Sequence, residues 1–286
     1  MRRTINGRDT CRTIIDWAAT IVATLCAVLA IAPLVFIFGY LLLHGVTSID
    51  INFFTQLPKP VGEPGGGMAN AIVGTMILIG LACTLGLPMG ILAGVYLAEF
   101  GNTRFGWTVR FAAEVLNGVP SIVIGIFAYT LIVLPMKSFS AYAGGFALGI
   151  MMIPVVTRTT EEIIRLVPHS LREASLALGV PVWRTTLKVI MRTARAGIVT
   201  GAMLAIARIA GETAPLLFTA FGNRFWHQNL DQPIASLTVQ IYTYAISPFD
   251  DWHRQAWAGA VVLLGLVLLS SVAIRLMIRG RFMGVR

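Results

Sequence analysis

The chain has 286 residues, 56% of them hydrophobic and 12% charged, with a formal net charge of +9. Its mean hydropathy is +0.78, a balance far from the roughly half-apolar, quarter-charged average of soluble domains, which excludes a soluble globular enzyme and makes the chain an integral membrane protein. The basic excess then bears on orientation and lipid headgroups, and nucleic acid is not an expected partner.

Five stretches carry no Asp, Glu, Lys or Arg: 17–49, 64–98, 115–136, 138–157 and 255–274. Each reaches the roughly 20 residues that a helix needs to cross hydrocarbon. A sixth, 196–223, is equally apolar but holds Arg208 and Glu212. The expected fold class is all-α: a polytopic membrane protein of one domain over 1–286, with about six spans near 17–43, 69–98, 115–136, 140–157, 196–222 and 255–275 and a polar loop over 158–195. The first stretch is too long, and too poor in a small-residue cleavage pattern, for a secretory signal peptide, and is read as a retained helix.

Before the second span, "LPKPVGEPGGG" reads as a connecting turn, because its prolines and glycines resist regular structure. Within that span Gly74, Gly80, Gly86, Gly90 and Gly94 are expected to let another helix approach closely. Pro88 there and Pro154 in the fourth span are kink candidates. Glu114 and Asn117, near the inner end of the third span, read as boundary residues outside any pathway. Cys11 lies in the N-terminal tail and Cys26 and Cys83 inside spans, so neither a disulfide nor a cysteine metal site is expected. No cofactor is expected either.

Basic residues set the orientation. With the N-terminus in the cytoplasm, 17 Lys and Arg residues fall inside, among them Arg2, Arg3, Arg110, Arg158, Arg184 and Arg286. Only Lys59, Lys137, Arg224 and Arg254 fall outside, and Arg208 completes the 22. This positive-inside bias places both termini and the 158–195 loop in the cytoplasm.

That loop contains "PHSLREASLALGVPVWRTTLKVI". Ser170 and Glu173 have the spacing of a capping box, Leu171, Ala174 and Leu178 recur at helical spacing, and Gly179 followed by Pro181 supplies a stop. A short cytoplasmic helix with one apolar side is expected, placed on lipid, on its own bundle or in a partner's groove.

"REASLALG", Arg172 to Gly179, is similar to the EAA signature of bacterial ABC-importer permeases, with Ser175 at the third position and no Leu-Pro near Met191 and Arg192. "ARIAGETAPLLFTA", 207–220, resembles the phosphate-specific, PstA-type branch of those permeases, whose fifth helix carries a similar Gly-Glu-Thr-Ala-Pro run. The resemblance implies a six-helix permease subunit of the bacterial inner membrane that forms half of a translocation pathway. It further implies pairing with a second, related permease subunit, docking on two ATP-hydrolysing subunits, and delivery of phosphate by an extracytoplasmic binding protein. The short helix would then be the coupling helix, with Ser170, Leu171, Glu173, Ala174, Leu178 and Gly179 at the ATPase contact. The chain has no phosphate-binding loop, since none of Lys59, Lys137 or Lys188 follows a glycine, so ATP is expected to be hydrolysed elsewhere and the chain not to be an enzyme.

An arginine at mid-bilayer costs roughly 2.5–3.5 kcal/mol on insertion scales, so Arg208 is expected to point inward, to partners or water. Glu212, four residues later, would share its helix face and form a resting ion pair. Arg208, Glu212 and the adjoining Thr213 are the candidate pathway residues, because a guanidinium offers a planar, permanently charged fork matched to phosphate oxygens. Glu212 either holds the arginine or accepts a hydrogen bond from protonated phosphate. A packing salt bridge that only locks helix register is the other reading of the pair.

Two further alternatives stand beside phosphate. Arg208 alone does not separate phosphate from sulfate, molybdate or another oxyanion. A proton-coupled secondary transporter would use Glu212 as proton carrier and have no need of the exposed short helix.

Overall fold

The computed structural model describes residues 7–60, 63 and 65–282; Arg2, Arg3, Arg286 and, in the turn before the second span, Val61, Gly62 and Pro64 lie outside the described residues. Among the described residues all regular structure is helical. In chain order the elements are α1 (Gly7–Gly45), α2 (Ile51–Thr55), α3 (Ala69–Phe100), α4 (Arg104–Gly118), α5 (Ser121–Met136), α6 (Ala141–Arg165), α7 (His169–Ala177), α8 (Val182–Ala210), α9 (Ala214–Thr219), α10 (Leu237–Ala245) and α11 (Asp250–Phe282). Helices α1, α3, α6, α8 and α11 are long and apolar enough to cross a bilayer. Counted as one span, the α4–α5 pair, bent by 103°, makes a sixth.

The centre of the bundle is the contact of α3 with α6, which run side by side in the same direction. Glycine makes the approach possible. A Cβ added at Gly86 would lie 2.8 Å from the Met152 Cβ, one at Gly90 2.7 Å from the Val156 Cβ, and one at Gly94 2.6 Å from the Thr157 carbonyl oxygen. Bilayer helices gain little from excluding lipid tails, so such close van der Waals contact is what holds them. Gly80 has nothing within 4 Å of an added Cβ, so its expected packing role is not found. Leu78, Ala82, Leu148, Met152, Val156, Ala205 and Ile209 fill the surrounding core.

Three boundaries differ from those suggested by the charge-free stretches. The third span does not run straight from 115: α4 carries the chain to Gly118, and the bend falls at Val119 and Pro120. Proline excludes the residue before it from helical conformation, and Val119 is extended at φ −70°, ψ 130°. Helix α4 leaves Phe105, Trp107 and Phe111 exposed, the pattern of a helix lying along the membrane boundary.

The 158–195 loop is also shorter than its charges suggest. Helix α6 continues to Arg165 and α8 begins at Val182, because a helix does not stop where it leaves hydrocarbon. Conversely, 196–222 is not one helix, since α8 ends at Ala210 and α9 begins at Ala214. After α9 the chain turns through Phe221 (φ 62°) and Gly222 (φ 116°), and α10 packs back onto the bundle, with the Leu237 N–H donating to Thr75 Oγ1 at 2.9 Å.

Gly90→Val should lower stability by about 1–3 kcal/mol through overpacking against Val156, whereas Gly80→Ala should be neutral or slightly stabilising. Thermal unfolding of the two purified variants in one detergent gives the comparison.

Candidate functional site

Helix α8 places Arg208 in its last turn, where a cation is favoured by the helix dipole. The helix stops there for local reasons. The Gly211 N–H turns back to the Arg208 carbonyl at 3.2 Å and the Glu212 N–H to that of Ile209 at 3.2 Å, while Pro215, which has no N–H, opens α9. Glu212 therefore is not one helical turn beyond Arg208. No ion pair joins them among the described residues, which corrects the expected resting pair. The Glu212 backbone carbonyl instead accepts from Thr238 Oγ1 of α10 at 3.0 Å. Thr213 starts α9 without a side-chain cap.

The partner of Arg208 is Asn117: Nη1 donates to Asn117 Oδ1 at 3.1 Å. Asn117 lies in the last turn of α4, next to the Pro120 bend, and the sequence had set it aside as a boundary residue. The two helix breaks are packed together, since a Cβ added at Gly125 of α5 would lie 2.7 Å from the Pro215 Cα of α9. Arg208 does not point into the bundle as expected. Ala205, Ile209 and Ala210 take the core side of α8, and Arg208 is exposed on the open face of the chain.

Asn117 also lines a cavity of about 120 Å³ among α3, α4 and α6, together with Arg110, Glu114, Arg158 and Glu161. Glu161 is 2% exposed. Its Oε1 accepts from Arg110 Nη2 at 2.7 Å and lies 2.7 Å from Arg165 Nη2, while its Oε2 is buried without a protein partner. Arg158 bridges Glu114 at 3.2 Å and Glu162 at 3.0 Å. The Arg110–Glu161 and Arg158–Glu114 pairs tie α4 to α6, and Asn117, which lines the same cavity, holds Arg208. Sequence alone could not join Arg110 to Glu161, which are 51 residues apart.

At the same end of the bundle stands α7. Its N-cap is Pro168 with no side-chain hydrogen bond, so the Ser170–Glu173 capping box does not form and the helix starts earlier than expected. The C-terminal stop is as expected: Gly179 is left-handed at φ 75°, its N–H donates to the Leu176 carbonyl at 2.9 Å, and the Val180 N–H donates to that of Ser175 at 3.2 Å, a Schellman motif. Leu171, Glu173, Ala174 and Leu178 are exposed, Leu178 at 83%. Two side chains, Ser175 and Arg172, hold α7 in place. Ser175 Oγ is 2.9 Å from Thr185 Oγ1, and Arg172 Nη1 lies 2.6 Å from both carboxylate oxygens of Glu99, at the end of α3.

The profile of a family described as the binding-protein-dependent transport system inner membrane component matches residues 86–281, taking in Asn117, Glu161, α7 and Arg208. The chain belongs to this family. Among curated relatives, the phosphate transport system permease protein PstA of Xylella fastidiosa is 45% identical over 266 residues, 92% of each chain. Its counterpart of the same name in Yersinia pestis is 47% identical over 234 residues, covering 81% of this chain and 79% of the relative. The probable phosphate transport system permease protein PstA of Methanocaldococcus jannaschii is 38% identical over 86% of this chain and 88% of its own. Among solved structures, the MetNI methionine ABC transporter in an inward-facing conformation aligns with a TM-score of 0.56 at 20% identity, over 73% of this chain and 93% of that one. An amino acid ABC transporter aligns with the same TM-score, 0.56, at 18% identity, over 75% and 92%. That likeness shows a common fold, and the chain is a multi-pass membrane protein of this transport family.

Removing Glu161 would leave Arg110, largely buried, without its carboxylate, while the half-exposed Arg165 would turn to solvent. Glu161→Ala should destabilise the protein by about 3 kcal/mol, read as a lowered thermal midpoint in detergent, while Glu162→Ala, on the exposed side of the same helix, should change it by less than about 1 kcal/mol.

Proposed function

We propose that this chain forms one half of the membrane pathway of an ATP-driven importer of inorganic phosphate, drawing the anion with Arg208. The observation that carries the reading is a permanent charge on an open face, in a stretch that is otherwise apolar, with a neutral amide and no carboxylate as its partner. Hydrocarbon does not tolerate such a group, so the face must be covered by water, by a second permease subunit, or by both. A guanidinium held by Asn117 through Nη1 keeps further N–H donors for an oxyanion. The two interrupted helices beside it are the arrangement by which transporters bring backbone and charge to a substrate at the midplane. The PstA names of relatives 45–47% identical support phosphate as that substrate.

Glu212 and Thr213 sit at the break beside Arg208. With no ion pair to Arg208, the carboxylate is assigned the second of its roles, acceptance of a hydrogen bond from protonated phosphate. The chain does no covalent chemistry. ATP is hydrolysed on separate subunits that dock on α7, where Leu171, Leu178 and Gly179 leave an apolar surface around the Schellman turn. Phosphate reaches the complex from an extracytoplasmic binding protein, in the bacterial inner membrane, with both termini in the cytoplasm, as the distribution of 17 basic residues against four supports.

In proteoliposomes holding the assembled complex, Arg208→Gln should lower phosphate uptake by at least about tenfold, and Arg208→Lys should fall between, since it keeps charge but loses the fork. Parental uptake by an assembled Gln variant would reduce Arg208 to a packing residue. Sulfate or molybdate competing as well as unlabelled phosphate would remove phosphate specificity.

For docking, Gly179→Val forces a β-branched residue into φ 75°. It should reduce co-purification of the ATPase subunits by several-fold while membrane insertion is unchanged; undiminished co-purification would place the contact elsewhere.

A further inference from the structure

At the end of the bundle opposite α7, the turn through Phe221 and Gly222 and helix α10 border an open-sided cavity of about 290 Å³, lined in larger part by apolar groups of Leu217, Phe221, Ala235 and Val239. Its polar lining consists of Asn223, Arg224, Ser236, Gln240, Thr243 and Tyr244, with no carboxylate among its walls. The segment carrying Arg224 is fixed in place. The buried Asn70 side chain donates to the Asn223 carbonyl at 2.6 Å, Asn223 Nδ2 donates to the Pro233 carbonyl at 3.2 Å, and Asn223 Oδ1 accepts from the Phe225 N–H at 3.0 Å. Phe221 stacks on Phe139 at 4.8 Å between ring centroids. Such anchoring exceeds what a passive connection requires.

Arg224 itself has no ion pair and no protein acceptor among the described residues. It lies over the face of Trp252, 5.6 Å from the guanidinium carbon, which holds the cation but takes none of its hydrogen bonds, and near Tyr244. The nearby carboxylate Asp251 is already engaged with Arg254. The result is a guanidinium with unused N–H donors at the mouth of a largely apolar cavity whose polar groups are neutral hydroxyls and amides.

We propose that this cavity is a second anion site, receiving a tetrahedral oxyanion on the outer side of the membrane before it reaches Arg208. The inference rests on the phosphate-import reading, and it assigns that pathway an outer station held by Arg224. Ser236, Gln240 and Tyr244 complete the site with neutral groups, which leaves the anion bound by one charge and therefore able to leave. The site is joined mechanically to the Arg208 region, because α10, which forms one of its walls, also donates through Thr238 to the Glu212 carbonyl.

The ring of Trp252 reports on the site. In the purified transport complex, inorganic phosphate should produce a saturable change in tryptophan fluorescence that equal chloride does not, and that Trp252→Phe abolishes. Arg224→Gln should weaken the phosphate midpoint by about tenfold, with Arg224→Lys intermediate. A parental midpoint in Arg224→Gln, or no Trp252-dependent signal in the parent, overturns the proposal. So does an unchanged midpoint accompanied by weaker stimulation of ATP hydrolysis by the binding protein, which would make Arg224 a docking residue for a protein carboxylate. Arg208→Gln should retain the fluorescence response while losing uptake. Retained uptake there, with the Arg224 dependence intact, would overturn the role of Arg208 and leave the outer site standing.

Discussion

Everything in this bundle is hung on the close approach of α3 and α6. With no water to expel, two bilayer helices hold together by the contact their surfaces allow, and here three glycines of α3 bring its backbone against Met152, Val156 and Thr157 of α6. The charged pairs at the α7 end then add to a frame already in place. Glu161 sits on α6 where that helix emerges from the contact, so α4 is drawn to it through Arg110. Arg172 closes on Glu99 where α3 emerges. The two helices that form the core thus also supply the anchors for the two peripheral helices at the α7 end.

Against this frame the chain interrupts two of its spans, at Val119–Pro120 and at 211–213. The breaks set a charged and an amide side chain against each other in segments that are otherwise apolar. Proline and glycine do the local work: one removes a donor and restricts its predecessor, the other tolerates the turn. Bilayers accept non-helical backbone where protein or a water-filled path covers it, so paired breaks on one open face belong with transport more than with stability.

Much of this was readable before any coordinates. Hydropathy set the number of spans at six, the left-handed Gly179 stop followed from its place before Pro181, and Arg208 stood out because an arginine in an apolar stretch needs a reason. The rest was hidden for identifiable causes. Charge-free stretches mark where hydrocarbon begins and not where a helix ends, so α6 runs on to Arg165, and α8 starts at Val182 and stops at Ala210, short of the end of its apolar stretch. The Arg208–Glu212 pair assumed an unbroken helix, and Gly211 with Pro215 in the same motif was the available sign that the helix stops. Asn117 is uncharged and 91 residues from its partner, and nothing local announces that contact. The Ser170–Glu173 spacing fits a capping box, but Pro168 starts the helix first.

The exposure of Arg208 on the lone chain has a bearing on biogenesis. On the reading proposed above, a newly inserted copy would display that guanidinium to lipid, at roughly 2.5–3.5 kcal/mol on insertion scales, until a second subunit covered the face. On the proposed reading, an unpaired copy carries on its surface the same side chain that the assembled pathway would use, a chemical feature by which membrane quality control would tell the two apart.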